Sequence, residues 1–134
     1  MTDRGSATVE LVLIAPVLVL MMLFAVAAGR FSLARNQVNE AARDAAREAS
    51  TWRTPQAAST NGIERGLASL ADSHMSCHAP SVEIDVSDLH PGGEVVADVT
   101  CTVELGDLLG LRLGGDKTFT ARSVAVVDAF RSTG

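Results

Sequence analysis

The residues able to do chemistry are few and unevenly placed. Glu10 stands out, a lone carboxylate just inside the leading edge of the apolar run RGSATVELVLIAPVLVLMMLFAVAAGR at positions 4–30. A carboxylate in hydrocarbon costs a few kcal/mol, so it needs a partner, access to water or a proton. Within one chain Arg4 is the only candidate cation. A cut between Gly5 and Ser6 would create a second one, a free ammonium on Ser6 at the lip of the helix, which the Glu10 of a neighbouring copy could meet in a bundle. The plainer account has Ser6 or Thr8 cap the helix, with Glu10 near enough to its N-terminus to favour the dipole.

A second group lies in HMSCH, where His74, Cys77 and His78 fall close together, with His90 and Cys101 further along. These could offer nitrogen and sulfur to zinc, although the spacing matches no standard finger or metallohydrolase motif. The other reading joins Cys77 to Cys101 in a disulfide that staples a helix exit to the inner face of a strand. An even pair in a short, exported domain favours the disulfide, with the histidines as ordinary turn residues and no metal. The chain has no Gly-rich phosphate loop and no Ser or Cys beside a recognisable base, and Glu83, Asp85 and Asp98 alternate as surface residues do. No enzyme activity and no cofactor are expected.

The elements that must position these residues follow from periodicity. In this chain of 134 residues, positions 11–28 carry no charge. As a helix they would span about 27 Å, near the thickness of a bilayer core. Pro16 should kink or loosen that helix. Beyond it Phe31, Ala34, Val38, Ala41, Ala45, Ala49 and Trp52 recur every three or four residues, so a mostly alanine stripe invites a closely approaching partner. Glu40 with Arg43, and Asp44 with Arg47, are expected to pair along the outer surface. The net charge is −5, yet positions 30–53 hold five Arg against three acids, and nothing resembles a nucleic-acid footprint.

Pro55 should end the first helix near 52–54 and open a second, carrying Ile63, Leu67, Leu70 and Ala71 on one side, with Gly62 and Gly66 as weak points. The period then changes to two. Val82, Ile84 and Val86 mark one strand; Val95, Ala97, Val99, Cys101, Val103 and Leu105 mark a second. HPGG at 90–93 turns between them. A third strand over about 117–128 has Phe119 and Ala121 inward, completing an antiparallel meander. The connection GDLLGLRLGG either folds under the sheet or is a contact surface, and RSTG reads as a frayed end.

The pattern RGSATVEL, a basic residue and Gly followed by five positions ending in Glu at the start of an apolar helix, resembles the class III signal of type IV pilins and pseudopilins. Together with NQVNEAARDAAREAS and a paired-Cys β region ending TFTARSVAVVDAFR, the chain looks like the TadE-like minor pilins of the tight-adherence (Tad/Flp) pilus system, especially their high-Ala actinobacterial forms. Leu11 departs from the Phe common after the Glu in such signals.

The resemblance implies cleavage after Gly5 by a prepilin peptidase, Ser6 as the first mature residue and Glu10 as the fifth, setting registry during assembly. It implies as partners other Tad pilins, the inner pilus assembly platform and membrane lipid. The expected architecture is α+β: a leader at 1–5, a transmembrane helix at 6–29, its extramembrane continuation at 30–54, and a small domain at 55–134 with a second helix and three antiparallel strands. The chain would be a single-pass plasma membrane protein with its C-terminal domain outside the cytoplasm. Charge bias opposes that orientation, because Arg30 and Arg35 follow the span while Asp3 offsets Arg4 before it; the cleavage pattern and the cysteines outweigh it. The alternative is an ordinary secretory signal cut near AVAAG, where Ala25 and Ala27 are small enough.

Overall fold

A computed structural model describes residues 3–131, with side chains from Gly5 onward. Met1 and Thr2 of the expected leader, the side chain of Arg4 and the expected frayed residues 132–134 lie outside the described residues. The elements run α1 (Asp3–Thr51), α2 (Pro55–Asp72), β1 (His78–Asp88), β2 (Glu94–Glu104), α3 (Leu105–Leu109) and β3 (Asp116–Val126). A long apolar helix, a second helix and a three-stranded antiparallel sheet make an α+β fold, as the sequence implies.

Helix α1 is continuous over 49 residues and passes through Pro16 without interruption. Its apolar half is bare, every side chain from Val9 to Val26 being exposed. Its second half is the spine of the domain. Ala34, Val38, Ala41, Ala42, Ala45, Ala46 and Ala49 are all buried, so the stripe is wider than the spacing predicts, gaining Ala42 and Ala46. Phe31 and Trp52, expected at its ends, remain more than a third exposed.

Thr54 caps α2, its hydroxyl accepting from the Ala57 amide at 3.3 Å, and Pro55 occupies the first turn, where its missing N–H costs nothing. The buried face of α2 is Ala58, Gly62, Gly66 and Leu70, a strict four-residue repeat of mostly small side chains. This corrects the expected face: Leu67 and Ala71 are exposed and Ile63 is half-buried. The two glycines are contact points. A Cβ on Gly62 would stand 2.9 Å from Ala49 Cβ and 3.1 Å from the Ala45 carbonyl oxygen, and one on Gly66 would stand 3.0 Å from Val82 Cγ1. Alanine facing glycine brings the two backbones together. A second correction concerns charge. Asp44 meets Arg65 of α2 at 3.4 Å rather than Arg47 of its own helix.

The sheet is a meander in the order β1-β2-β3, with Val99 paired to Val82 on one side and to Ala121 on the other. One face packs on α1 and α2 through Val82, Val95, Ala97, Val99, Cys101, Val103, Phe119 and Ala121. The opposite face is polar toward one end, where Thr102 and Thr118 hydroxyls are 3.0 Å apart and Arg122 approaches Asp98 at 4.0 Å, and apolar toward the other, where Val96 pairs with Val124 and Val126 is exposed. Strand β1 begins earlier than the alternation implies, at His78. A bulge between His78 and Ser81 absorbs Ala79, whose φ is +51°, and Pro80.

The Leu-rich connection divides. Leu108 of α3 is buried in the core and Leu105 packs against it, while Leu111 and Leu113 are 54% and 52% exposed. The inward-folding reading therefore holds for Leu108 and not for Leu111 and Leu113.

Candidate functional site

Gly5, Ser6 and Glu10 all lie on α1, exposed, ahead of the bare apolar surface. Because α1 already begins at Asp3, Ser6 and Thr8 sit inside the helix rather than at its cap. Glu10 falls in the third turn, beyond the first-turn reach of the dipole, so the plain capping account does not fit the intact chain. Ser6 and Glu10 are four residues apart, one turn along the same face, about 6 Å in rise. A positive group at Ser6 and the Glu10 carboxylate would therefore share one edge of the helix, open to a neighbour. Apart from the local helix itself, nothing lies within 4 Å of where a Gly5 Cβ would be, so no other described part of the chain crowds this position.

From residue 5 to residue 51 the helix is long and apolar enough to cross a membrane by length and composition. No break separates this stretch from the domain: α1 runs on through Ala27 and Arg30, and its buried face begins at Ala34. At the junction the Phe31 ring packs against Phe119 in a tilted arrangement with centroids 5.0 Å apart, and Lys117 Nζ lies 5.7 Å from the Phe31 centroid. The helix is thereby fixed to the sheet within a residue or two of leaving the apolar stretch.

A family model described as TadE-like protein matches residues 5–47, from Gly5 into the alanine stripe. The N-terminal segment is TadE-like. The matched part includes Gly5, Ser6, Glu10 and the whole apolar run, and stops before α2 and the sheet. No curated protein and no solved structure shows significant similarity to the chain.

The cysteines lie in the unmatched part and are joined, with Cα atoms 5.4 Å apart. Cys101 is fully buried on β2, and Cys77 precedes β1, so the bond ties the approach to the outer strand into the central one. Both sulfurs are committed, which removes them from the zinc set that HMSCH suggested. The histidines disperse. His74 is exposed at the exit of α2 with φ +56°, and His78 Nε2 lies 3.7 Å from Glu104 Oε1. His90 Nε2 lies 2.8 Å from Asp88 Oδ1 in the β1–β2 turn. The hydrogen bond to the Pro91 carbonyl, then the Asp88 carboxylate, raise the His90 pKa. Asp85, at the outer face, is held lower by the Ser87 amide, which donates to its Oδ1 at 2.9 Å.

The sequence did not single out one trio. Ligand atoms of His78, Glu104 and Asp107 come within 4.8 Å of one another, all three on exposed residues. The bulge at the start of β1 brings His78 beside the end of β2, a juxtaposition no local pattern encodes.

Proposed function

We propose that the protein is a minor pilin or pseudopilin of a Tad-type, type IV-like pilus or secretion filament, acting by assembly and not by catalysis. A prepilin peptidase removes the leader after Gly5, and Ser6 becomes the amino terminus. The apolar helix holds the subunit in the plasma membrane with the small domain outside the cytoplasm, until the assembly platform moves it against other Tad pilins. Helix-to-helix packing then replaces the lipid contacts that are lost. Glu10 sets the register of that packing by pairing with the Ser6 ammonium of an adjoining subunit, which removes the cost of a carboxylate near hydrocarbon.

The observation that carries this reading is the TadE-like match over residues 5–47, a stretch that includes Gly5, Ser6 and Glu10 and belongs to one unbroken helix. That continuity, with the domain core beginning within two turns of the apolar stretch, also favours a retained helix over a secretory signal discarded near Ala27. Replacing Glu10 by Gln or Ala tests the reading. Membrane insertion should persist while incorporation into, or promotion of, the filament falls. Unchanged assembly in both variants would contradict the registry role.

A further inference from the structure

Two leucines of the Leu-rich connection remain without a role: Leu111 and Leu113 are each about half exposed, next to residues already tied to the base of α1. Their level along the molecule follows from the direction of β3. Phe119, early in that strand, packs against Phe31, whereas Arg131, past its end, donates from Nη1 to the Ser50 carbonyl at 2.9 Å. Strand β3 therefore climbs α1 away from the apolar stretch, and β2, antiparallel to it, descends toward that stretch. The connection between them is the end of the domain nearest the apolar helix. Gly110 confirms the level, since a Cβ there would stand 3.1 Å from the Arg30 guanidinium, the first charge after the uncharged run.

We propose that the tip of this connection is a second membrane contact. Leu111 and Leu113 enter the lipid leaflet from which α1 emerges, and so fix the height and tilt of the domain against the bilayer. The proposal rests on the reading of α1 as a membrane span. Its occupant is the lipid surface because the two exposed leucines lie at the level of Arg30, where the exposed apolar surface of α1 ends and where Phe31 and Leu33 are themselves exposed. The chemistry suits an interface: apolar tips beside Arg30, Arg112 and Lys117, whose stems can lie on apolar surface while their charges reach phosphates. Glu104, Asp107 and Asp116 nearby balance those charges, so the contact depends on the leucines and should change little between neutral and anionic lipid.

Tryptophan reporters in the full-length protein, reconstituted in vesicles of phosphatidylcholine with bromine on the acyl chains, test this. Trp52 is the sole native tryptophan, about 30 Å up the helix from Arg30, and serves as the unquenched reference; the reporters Leu111→Trp, Leu113→Trp and Leu20→Trp are each placed in a Trp52→Phe background. The proposal expects Leu20→Trp to be strongly quenched, and Leu111→Trp and Leu113→Trp to be clearly quenched and blue-shifted relative to detergent. If Leu20→Trp is quenched while the two loop reporters behave as Trp52 does, the second contact is wrong and the span stands. Blue shift without quenching, growing with the protein-to-lipid ratio, would mean another copy covers the leucines and would also overturn it. An unquenched Leu20→Trp would overturn the span and the contact together.

Discussion

Replacing Gly62 by Ala sets two effects of known sign against each other. On an exposed helix the change would stabilise by about 1 kcal/mol, because glycine is the poorer helix former. In this fold the new methyl would lie 2.9 Å from Ala49 Cβ, 3.1 Å from the Ala45 carbonyl oxygen and 3.2 Å from Ile84 Cγ1. Two of those neighbours belong to α1 itself, one of them backbone, so relief requires α1 and α2 to separate. Overpacking of this kind costs about 1–3 kcal/mol, leaving a net destabilisation of roughly 0–2 kcal/mol after the helix gain. Gly66→Ala should be milder, since its nearest contact is the Val82 side chain and no backbone atom is among its closest neighbours. Gly29→Ala meets nothing within 4 Å and should not destabilise. Urea unfolding of the full chain in detergent, followed by Trp52 fluorescence, ranks the three. A Gly62→Ala protein more stable than wild type would refute the close helix approach.

The remaining expectations concern the domain. Exchanging Cys77 and Cys101 together for Ser should lower stability by about 3.5 kcal/mol, the chain-entropy value for the loop closed by a bond with a sequence separation of 24; an unchanged unfolding midpoint under non-reducing conditions would contradict the bond. Arg65→Ala should cost at most about 1 kcal/mol, because its pair with Asp44 is half exposed, and a larger loss would mean that Arg65 packs as well as pairs. The His90 ring should titrate above its ordinary value of roughly 6.5, and Asp88→Asn should lower that midpoint in a proton NMR titration. Since the folded pKa is raised, the stabilisation from this contact is complete below the unfolded pKa and is lost as pH climbs through the folded one.

The parts of this fold that a sequence shows best are those written by large apolar residues at a fixed period. The uncharged run, the alternation of β2 and the inward Phe119 and Ala121 are of this kind. The helix start at Pro55 is legible for a different reason, since the local chemistry of proline suffices there, whereas the Thr54 cap came only with the structure. What misled was α2. Hydropathy selects Ile63, Leu67, Leu70 and Ala71, but the partner helix presents alanines, and the closest approach falls at Gly62 and Gly66, which helix propensity marks as weaknesses. Ala42 and Ala46 escaped notice for the same reason, since a methyl group carries little hydrophobic signal until a second surface closes over it.

At the candidate site, the sequence singles out Gly5, Ser6 and Glu10 because the motif is contiguous and local. Their shared helix edge depends on α1 beginning at Asp3, ahead of the expected caps. The Asp44–Arg65 pair, the gathering of His78, Glu104 and Asp107, and the descent of the Leu-rich tip to the level of Arg30 all join distant segments. These follow from strand direction and register, which periodicity does not encode.

The central claim is that Ser6 becomes an amino terminus placed to neutralise Glu10 of a neighbour. The most direct measurement is the intact mass of the protein purified from its native membrane. The account predicts a chain lacking residues 1–5 and retaining the whole apolar helix. A mass that includes the leader, or one that begins after Ala27, would contradict it.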